Sequence, residues 1–144
     1  MTTYCCSDLH GNKILYDKIC DYIKPDDRVI FLGDAGDRGP HSWELIKAIY
    51  ENPQFTYLCG NHEDMLVKAL IEHKENNYCT QEYYHLVYNG GAKTFSDFLE
   101  EDPDEQDKWI KKLSNLPLVE TYHSPLGVTC ELSHAGFTPG TRLT

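Results

Sequence analysis

The sequence predicts an α/β protein built on a parallel sheet, and three observations lead there. Short apolar runs alternate with segments whose apolar residues recur at helical spacing, the pattern of strand, loop and helix that parallel sheets require. Each of the first three runs is followed at once by acidic, amide or imidazole side chains and a glycine. Finally, 144 residues with 40% hydrophobic content are enough for one core, and nothing divides the chain, so 1–144 reads as a single domain.

A first strand is expected at residues 2–6, leading through Asp8-Leu9-His10-Gly11-Asn12 into a helix whose core candidates are Ile14, Leu15, Ile19, Tyr22 and Ile23. Lys24-Pro25-Asp26-Asp27 stops that helix. Strand two, 29–32, opens onto Gly33-Asp34-Ala35-Gly36-Asp37-Arg38-Gly39, then a helix at 42–50 with Trp43, Leu45, Ile46 and Ile49 facing inward, ended by Asn52-Pro53. Strand three, 55–59, delivers Gly60-Asn61-His62-Glu63, after which Met65, Leu66, Ala69 and Leu70 mark a helix to about 72. Residues 74–115 change character and read as a helical insert, with short helices at 81–88, 92–100 and 104–113. The acidic turn from Glu100 to Glu105 reads as a solvated helix boundary, and Trp43 and Trp109 as packing residues. Runs at 118–122 and 128–133 predict a β-hairpin that ends in Ser133-His134-Ala135-Gly136.

A formal net charge of -10 disfavours a broad nucleic-acid footprint, so a phosphate-bearing ligand has to be drawn by local positive charge, which bound metal ions supply. The six cysteines, Cys5, Cys6, Cys20, Cys59, Cys79 and Cys130, form no C-x-x-C pair and read as reduced thiols. The N-terminus lacks a signal-peptide pattern, and no run approaches the roughly 20 apolar residues that span a bilayer. The expectation is a cytoplasmic protein with no membrane partner.

Three neighbouring strands of this design bring their polar tips to one sheet edge, where ligands of open α/β sheets bind. Asp8, His10, Asp34, Asn61 and His134 then offer two carboxylates, two imidazoles and an amide oxygen, a mixed N/O set suited to Mn, Fe or Zn. Asp34, on the middle strand, is placed to bridge two ions about 4 Å apart. Such a pair polarises a phosphoryl oxygen and supplies hydroxide for in-line attack. Arg38 offers a planar fork for phosphate oxygens, and His62, oriented by Asp37, is placed to protonate a leaving oxygen. The plainer alternatives are that Asp8 and Asp34 cap the following helices and that Asp37 and Arg38 form a surface pair. Recurrence of the pattern in three loops and again at His134 argues for the site.

The motifs S-D-L-H-G, G-D-A-G-D-R-G and G-N-H-E resemble the three N-terminal motifs of the calcineurin-like metallophosphoesterases, in particular the phosphoprotein phosphatase branch. Asn89-Gly90-Gly91 with Thr94, and His134-Ala135-Gly136, are similar to bacterial and phage-type members, which include protein Ser/Thr phosphatases and symmetric dinucleoside tetraphosphatases. The resemblance runs from residue 3 to about 140. It implies a two-sheet αββα sandwich and a dinuclear centre, with Asp8, His10 and Asp34 on one metal and Asp34, Asn61 and His134 on the other. It further implies Arg38 on phosphate and His62 as general acid, oriented by Asp37.

The resemblance also implies what the chain departs from. Members of the family continue past this point with further strands, a second phosphate-contacting Arg and a last His for the second metal. The expectation is therefore a sandwich with the C-terminal part of its second sheet missing, and self-association through that incomplete sheet. His41, His73, His85 and His123 are expected at surfaces or turns rather than in the site. The reaction expected is metal-dependent hydrolysis of a phosphomonoester on a phosphorylated protein or small molecule, by a protein Ser/Thr phosphatase. The alternatives are a symmetric dinucleoside tetraphosphatase and a non-catalytic domain that binds metal or phosphate.

Overall fold

The computed structural model describes residues 1–76 and 81–136, so Cys79 and residues 137–144 lie outside the described residues. Three parallel strands, β1 (Thr3–Cys6), β2 (Arg28–Phe31) and β3 (Phe55–Tyr57), lie in the order β1-β2-β3. The crossovers between them are α1 (Lys13–Tyr22) and α2 (Ser42–Glu51). After β3 come α3 (Asn61–Asn76), α4 (Gln81–Tyr88), α5 (Ala92–Leu99) and α6 (Pro103–Ser114), then the antiparallel hairpin β4 (Val119–His123) and β5 (Thr129–Ser133).

Burial explains why these segments take these states. Val29, Ile30 and Phe31 of the central strand are each at most 1% exposed, as expected where both sheet faces are covered. On α2 the expected inward residues Trp43, Leu45, Ile46 and Ile49 are all buried. Proline at the start of α6 has its φ already set for a helix, and Lys111 and Lys112 in its last turn complement the helix dipole.

Helix α1 departs from expectation. Ile14, Leu15 and Tyr22, read as core, are 71%, 44% and 73% exposed, and no residue of this helix is fully buried. The helix sits beside the edge strand β1 and touches the core only through the half-buried Tyr16, Ile19 and Cys20, with Ile23 just beyond its end. Periodicity located the helix but not the narrow stripe it buries.

The described residues of 74–115 are mostly helical, and their helices build the domain's own core. Leu86, Phe95, Phe98, Trp109 and Leu113 join one buried cluster with the residues of α2, β2, β3 and α3. Trp43 stacks edge-on against Phe98 at 5.1 Å and Trp109 at 5.5 Å, so both tryptophans are packing residues. The acidic turn is more than a solvated boundary. Glu101 accepts from Trp43 Nε1 at 3.0 Å and pairs with Lys47, whose ammonium, with the indole N–H, holds its carboxyl below the usual range.

The hairpin is tied to the sheet at the edge where the loops gather. Cys59 N–H donates to the Pro117 carbonyl at 2.8 Å just ahead of β4, and His134, the residue after β5, donates from Nδ1 to the Leu32 carbonyl at 2.7 Å. No described helix is long and apolar enough to cross a membrane.

Candidate metal centre

The parallel register, with Cys6 opposite Phe31 and Phe31 opposite Tyr57, ends all three strands at one level, so the loops that follow meet at their carboxyl edge. The first loop zips onto the second. Asp8 N–H donates to Gly33 O at 2.9 Å, His10 N–H to Asp34 O at 3.1 Å and Gly11 N–H to Ala35 O at 2.8 Å. Gly39 has to be glycine for the same reason: a Cβ there would press on the His10 carbonyl and lie 2.8 Å from the Gly11 carbonyl carbon. Gly39→Ala is accordingly expected to lower stability by about 1–3 kcal/mol, seen as a lower urea midpoint. A midpoint unchanged in the variant would show that the two loops can separate freely.

Strain concentrates here. Asp8 (φ 59), His10 (φ 44), Asp34 (φ 62), Asp37 (φ 68) and Arg38 (φ 70) are the non-glycine residues with positive φ among the described residues. Each such conformation costs on the order of 1–3 kcal/mol and persists only where the surroundings over-determine it. All five are residues that the sequence singles out.

The structure brings Asp8, His10, Asp34, Asn61 and His134 together. His10 donates from Nδ1 to Gly36 O at 2.8 Å, which leaves Nε2 facing Asp8 Oδ1 at 3.4 Å and Asp34 Oδ2 at 3.8 Å. His134 spends its Nδ1 proton on Leu32 O, and its Nε2 faces Asn61 Oδ1 at 2.9 Å and Asp34 Oδ2 at 3.3 Å. A backbone carbonyl thus fixes each ring's tautomer, as outer partners of metal-binding histidines do. What remains is a set of lone pairs with no proton donor between them, an arrangement stable only around positive charge. A divalent cation meets that need with both rings neutral, so the residues present fit a metal centre.

Asp34 divides its labour. Oδ1 accepts the His62 backbone N–H at 3.0 Å, capping the first turn of α3, while Oδ2 is shared between His10 and His134. The helix-cap alternative and the metal-bridge reading therefore apply to different oxygens of one carboxylate. Asp8 caps nothing, since α1 is capped by Asn12 accepting from Leu15 N–H. Its partial burial works against ionisation, yet the hydrogen bond from the Ser7 hydroxyl helps to hold its carboxyl below the ordinary range.

Asp37 does not pair with Arg38. It is 2% exposed and accepts from His62 Nδ1 at 2.7 Å through Oδ2, and from Thr94 Oγ1 at 2.7 Å through Oδ1. The His62 ring lies edge-on to His10 at 4.8 Å, beside the cluster. Arg38 is exposed and lines a cleft of about 580 Å³ with His10, Asn12, Lys13 and His41.

Two residues escaped the sequence reading as parts of the site. Glu63, 1% exposed, accepts from Asp34 N–H at 2.6 Å, Ala35 N–H at 3.0 Å, Gly60 N–H at 2.9 Å and the Tyr57 hydroxyl at 2.9 Å. Burial pushes its carboxyl up, against the pull of the amides and the phenol. Thr94 is fully buried on α5. The sequence did carry signals for both, Glu63 as the last residue of the G-N-H-E motif and Thr94 as the residue grouped with Asn89-Gly90-Gly91, but neither was given a role in the site.

The model of the calcineurin-like phosphoesterase family matches residues 1–143. No curated protein sequence matches the chain. Among solved structures, a protein assigned as a diadenosine tetraphosphatase superposes with a TM-score of 0.51 at 16% identity, covering 82% of this chain and 48% of its own. A Saccharomyces cerevisiae protein serine/threonine phosphatase, with similarity to human phosphatase PP5, superposes with a TM-score of 0.39 at 19% identity, over 83% of this chain and 37% of its own. The chain thus spans less than half the length of either. At these identities the first likeness concerns the fold, an α/β phosphoesterase fold as the motifs imply.

Proposed function

We propose that this chain, which belongs to the calcineurin-like phosphoesterase family, hydrolyses phosphomonoesters at the centre built on Asp34, with phosphoserine or phosphothreonine in a protein as the substrate. The observation that carries the reading is the convergence of His10 Nε2 and His134 Nε2 on Asp34 Oδ2, each ring held by a backbone carbonyl. In this reading Asp8, His10 and Asp34 hold one divalent ion, and Asp34, Asn61 and His134 a second, with manganese the first choice and iron or zinc compatible with the N/O donor set. Bound ions would supply Lewis-acid polarisation of the phosphoryl group and a hydroxide nucleophile at neutral pH.

The protein's own residues do the rest. Arg38, on the cleft beside His10, takes two phosphate oxygens in its fork. His62, its Nδ1 fixed by Asp37, presents Nε2 as the proton donor to the leaving oxygen. A second reading, hydrolysis of a dinucleoside polyphosphate, draws support from the size of the cleft, about 580 Å³, which extends beyond Arg38 to Lys13, a cation already paired with Asp17 at 3.0 Å.

Initial rates with excess Mn on a phosphoserine peptide and on diadenosine tetraphosphate separate the readings. Faster turnover of the peptide is expected. Preference for the tetraphosphate would move the assignment to the second reading, and turnover of neither, with ions bound, would overturn catalysis by this chain.

A further inference from the structure

Asp37 and Arg38 are held in a conformation the chain would not choose. Both have φ near +70°, and Gly39 N–H donates to Asp37 O at 2.8 Å, closing a three-residue turn with Arg38 at its centre in the strained sense. Something outside the loop has to hold it, and that something is the connection between α4 and α5. Arg38 N–H donates to Gly90 O at 2.8 Å, and a Cβ on Gly90, itself at φ +90, would fall 2.8 Å from Arg38 Cγ. Four residues on, Thr94 Oγ1 donates to Asp37 Oδ1 from a fully buried position.

We propose that the α4–α5 connection is a positioning clamp for the active centre, in which Thr94 acts through Asp37 to fix the ring of His62 while Gly90 fixes the backbone from which Arg38 projects. The inference rests on the phosphoesterase reading for the consequence of the clamp, not for its existence. With Oδ1 engaged by Thr94, the Asp37 carboxylate has a single orientation, and Oδ2 meets His62 Nδ1–H in line. Take away the hydroxyl and Oδ1 becomes a buried acceptor without a partner, so the carboxylate rotates to find one and His62 loses its fixed tautomer. Thr94 is a positioning residue: it touches neither phosphate nor metal ligand in the contacts described. It also explains why a helical region that contributes no ligand packs against the centre.

The test uses Thr94→Val, nearly the same shape without the hydroxyl, and Thr94→Ser, which keeps it. In ¹⁵N-labelled protein the His62 Nδ1 proton, hydrogen-bonded and buried, is expected as a low-field resonance without any metal added. It should be lost or exchange rapidly in Thr94→Val and return in Thr94→Ser. With Mn present, kcat for phenyl phosphate, whose leaving group needs a proton, is expected to fall roughly 10- to 100-fold in Thr94→Val, the usual effect of losing an outer partner. For p-nitrophenyl phosphate, whose leaving group needs little help, the fall should be several times smaller, with KM for both held near its original value. A general loss of structure would instead lower both rates alike. If valine at 94 prevents folding, Thr94→Ala gives the same readouts. A resonance that persists in Thr94→Val, or an unchanged ratio between the two substrates, overturns the clamp. A resonance lost in Thr94→Val, with the parent chain turning over neither substrate, supports the clamp and overturns the phosphoesterase reading instead.

Discussion

Replacing Asp34 with asparagine is expected to leave room for at most one tightly held divalent ion and to cut phosphomonoester turnover by about a thousandfold or more. The substitution is selective because the two carboxylate oxygens have separate partners. Asparagine keeps Oδ1, so the cap on the His62 N–H survives, and it tolerates the left-handed φ of 62 better than most residues. What it removes is the second anionic oxygen, the one within 3.3 Å of His134 Nε2 and 3.8 Å of His10 Nε2. An amide N–H₂ in that place would point protons at any cation bound there. Stabilisation of transition-state charge by metal ions amounts to several kcal/mol, and about 1.4 kcal/mol is a factor of ten in rate. Removing a buried carboxylate from a cluster of acceptors should leave the metal-free protein at least as stable as before. Ion stoichiometry by titration calorimetry with Mn, beside initial rates and a thermal melt without metal, decides the matter. Two ions retained with a rate within tenfold of the original would mean that Asp34 is a helix cap alone.

The sequence carried the topology well because the segments that form the sheet have only one plausible partner each. Val29, Ile30 and Phe31 are uniformly apolar, which suits only a strand buried on both faces, and the loop residues after them are too polar to continue it. Asp8, His10 and Asp34 were legible because polar tips repeat at the same point after each strand. Other features depend on distances that no local pattern records. The burial of α1 was overestimated, since Ile14 and Leu15 have helical spacing but stay exposed, and Tyr22, edge-on to Tyr4 of β1 at 5.8 Å, is itself left mostly exposed. Asp37 was read as the partner of His62, and the structure pairs them; the alternative of a surface pair with its neighbour Arg38 fails because the left-handed turn sends the two side chains apart, one to His62 and Thr94 and the other to the cleft. Thr94 lies 57 residues from the carboxylate it holds, a relation visible only once α5 is packed. Glu101, read as solvated, finds Trp43 and Lys47 at separations of 58 and 54 residues.

Glu63 should prove the least replaceable side chain for stability. Its two oxygens accept four hydrogen bonds, from the backbone N–H groups of Asp34, Ala35 and Gly60 and from the Tyr57 hydroxyl, and all of these lie in the interior. The Asp34 and Ala35 amides belong to the loop that carries the Asp34 carboxylate, and Gly60 to the turn that starts α3. One side chain therefore joins the second and third loops. Glu63→Ala would leave four donors without partners and a cavity beside them, and each unpaired buried donor costs about 1–3 kcal/mol. Even at the low end the sum of about 4 kcal/mol approaches the whole stability of many domains, so Glu63→Ala is expected to be largely unfolded or molten at 25 °C. Glu63→Gln separates shape from hydrogen bonding. It fills the same space and keeps one accepting oxygen, but its N–H₂ meets two donors, for a loss of roughly 2–4 kcal/mol with the fold retained. Burial works in the same direction as that substitution, since it already pushes the Glu63 carboxyl above its ordinary value. A group raised in the folded state gives stability that is complete below its unfolded pKa and declines as pH rises through the folded one. The gap between Glu63→Gln and the parent protein should therefore narrow on going from low pH to neutral. Urea unfolding of the three proteins across that range, followed by far- and near-ultraviolet circular dichroism, measures both effects. An alanine variant with a native near-ultraviolet spectrum and a stability within about 1 kcal/mol of the parent, no more than the cost of one unpaired donor, would show that the two loops are joined by something other than Glu63.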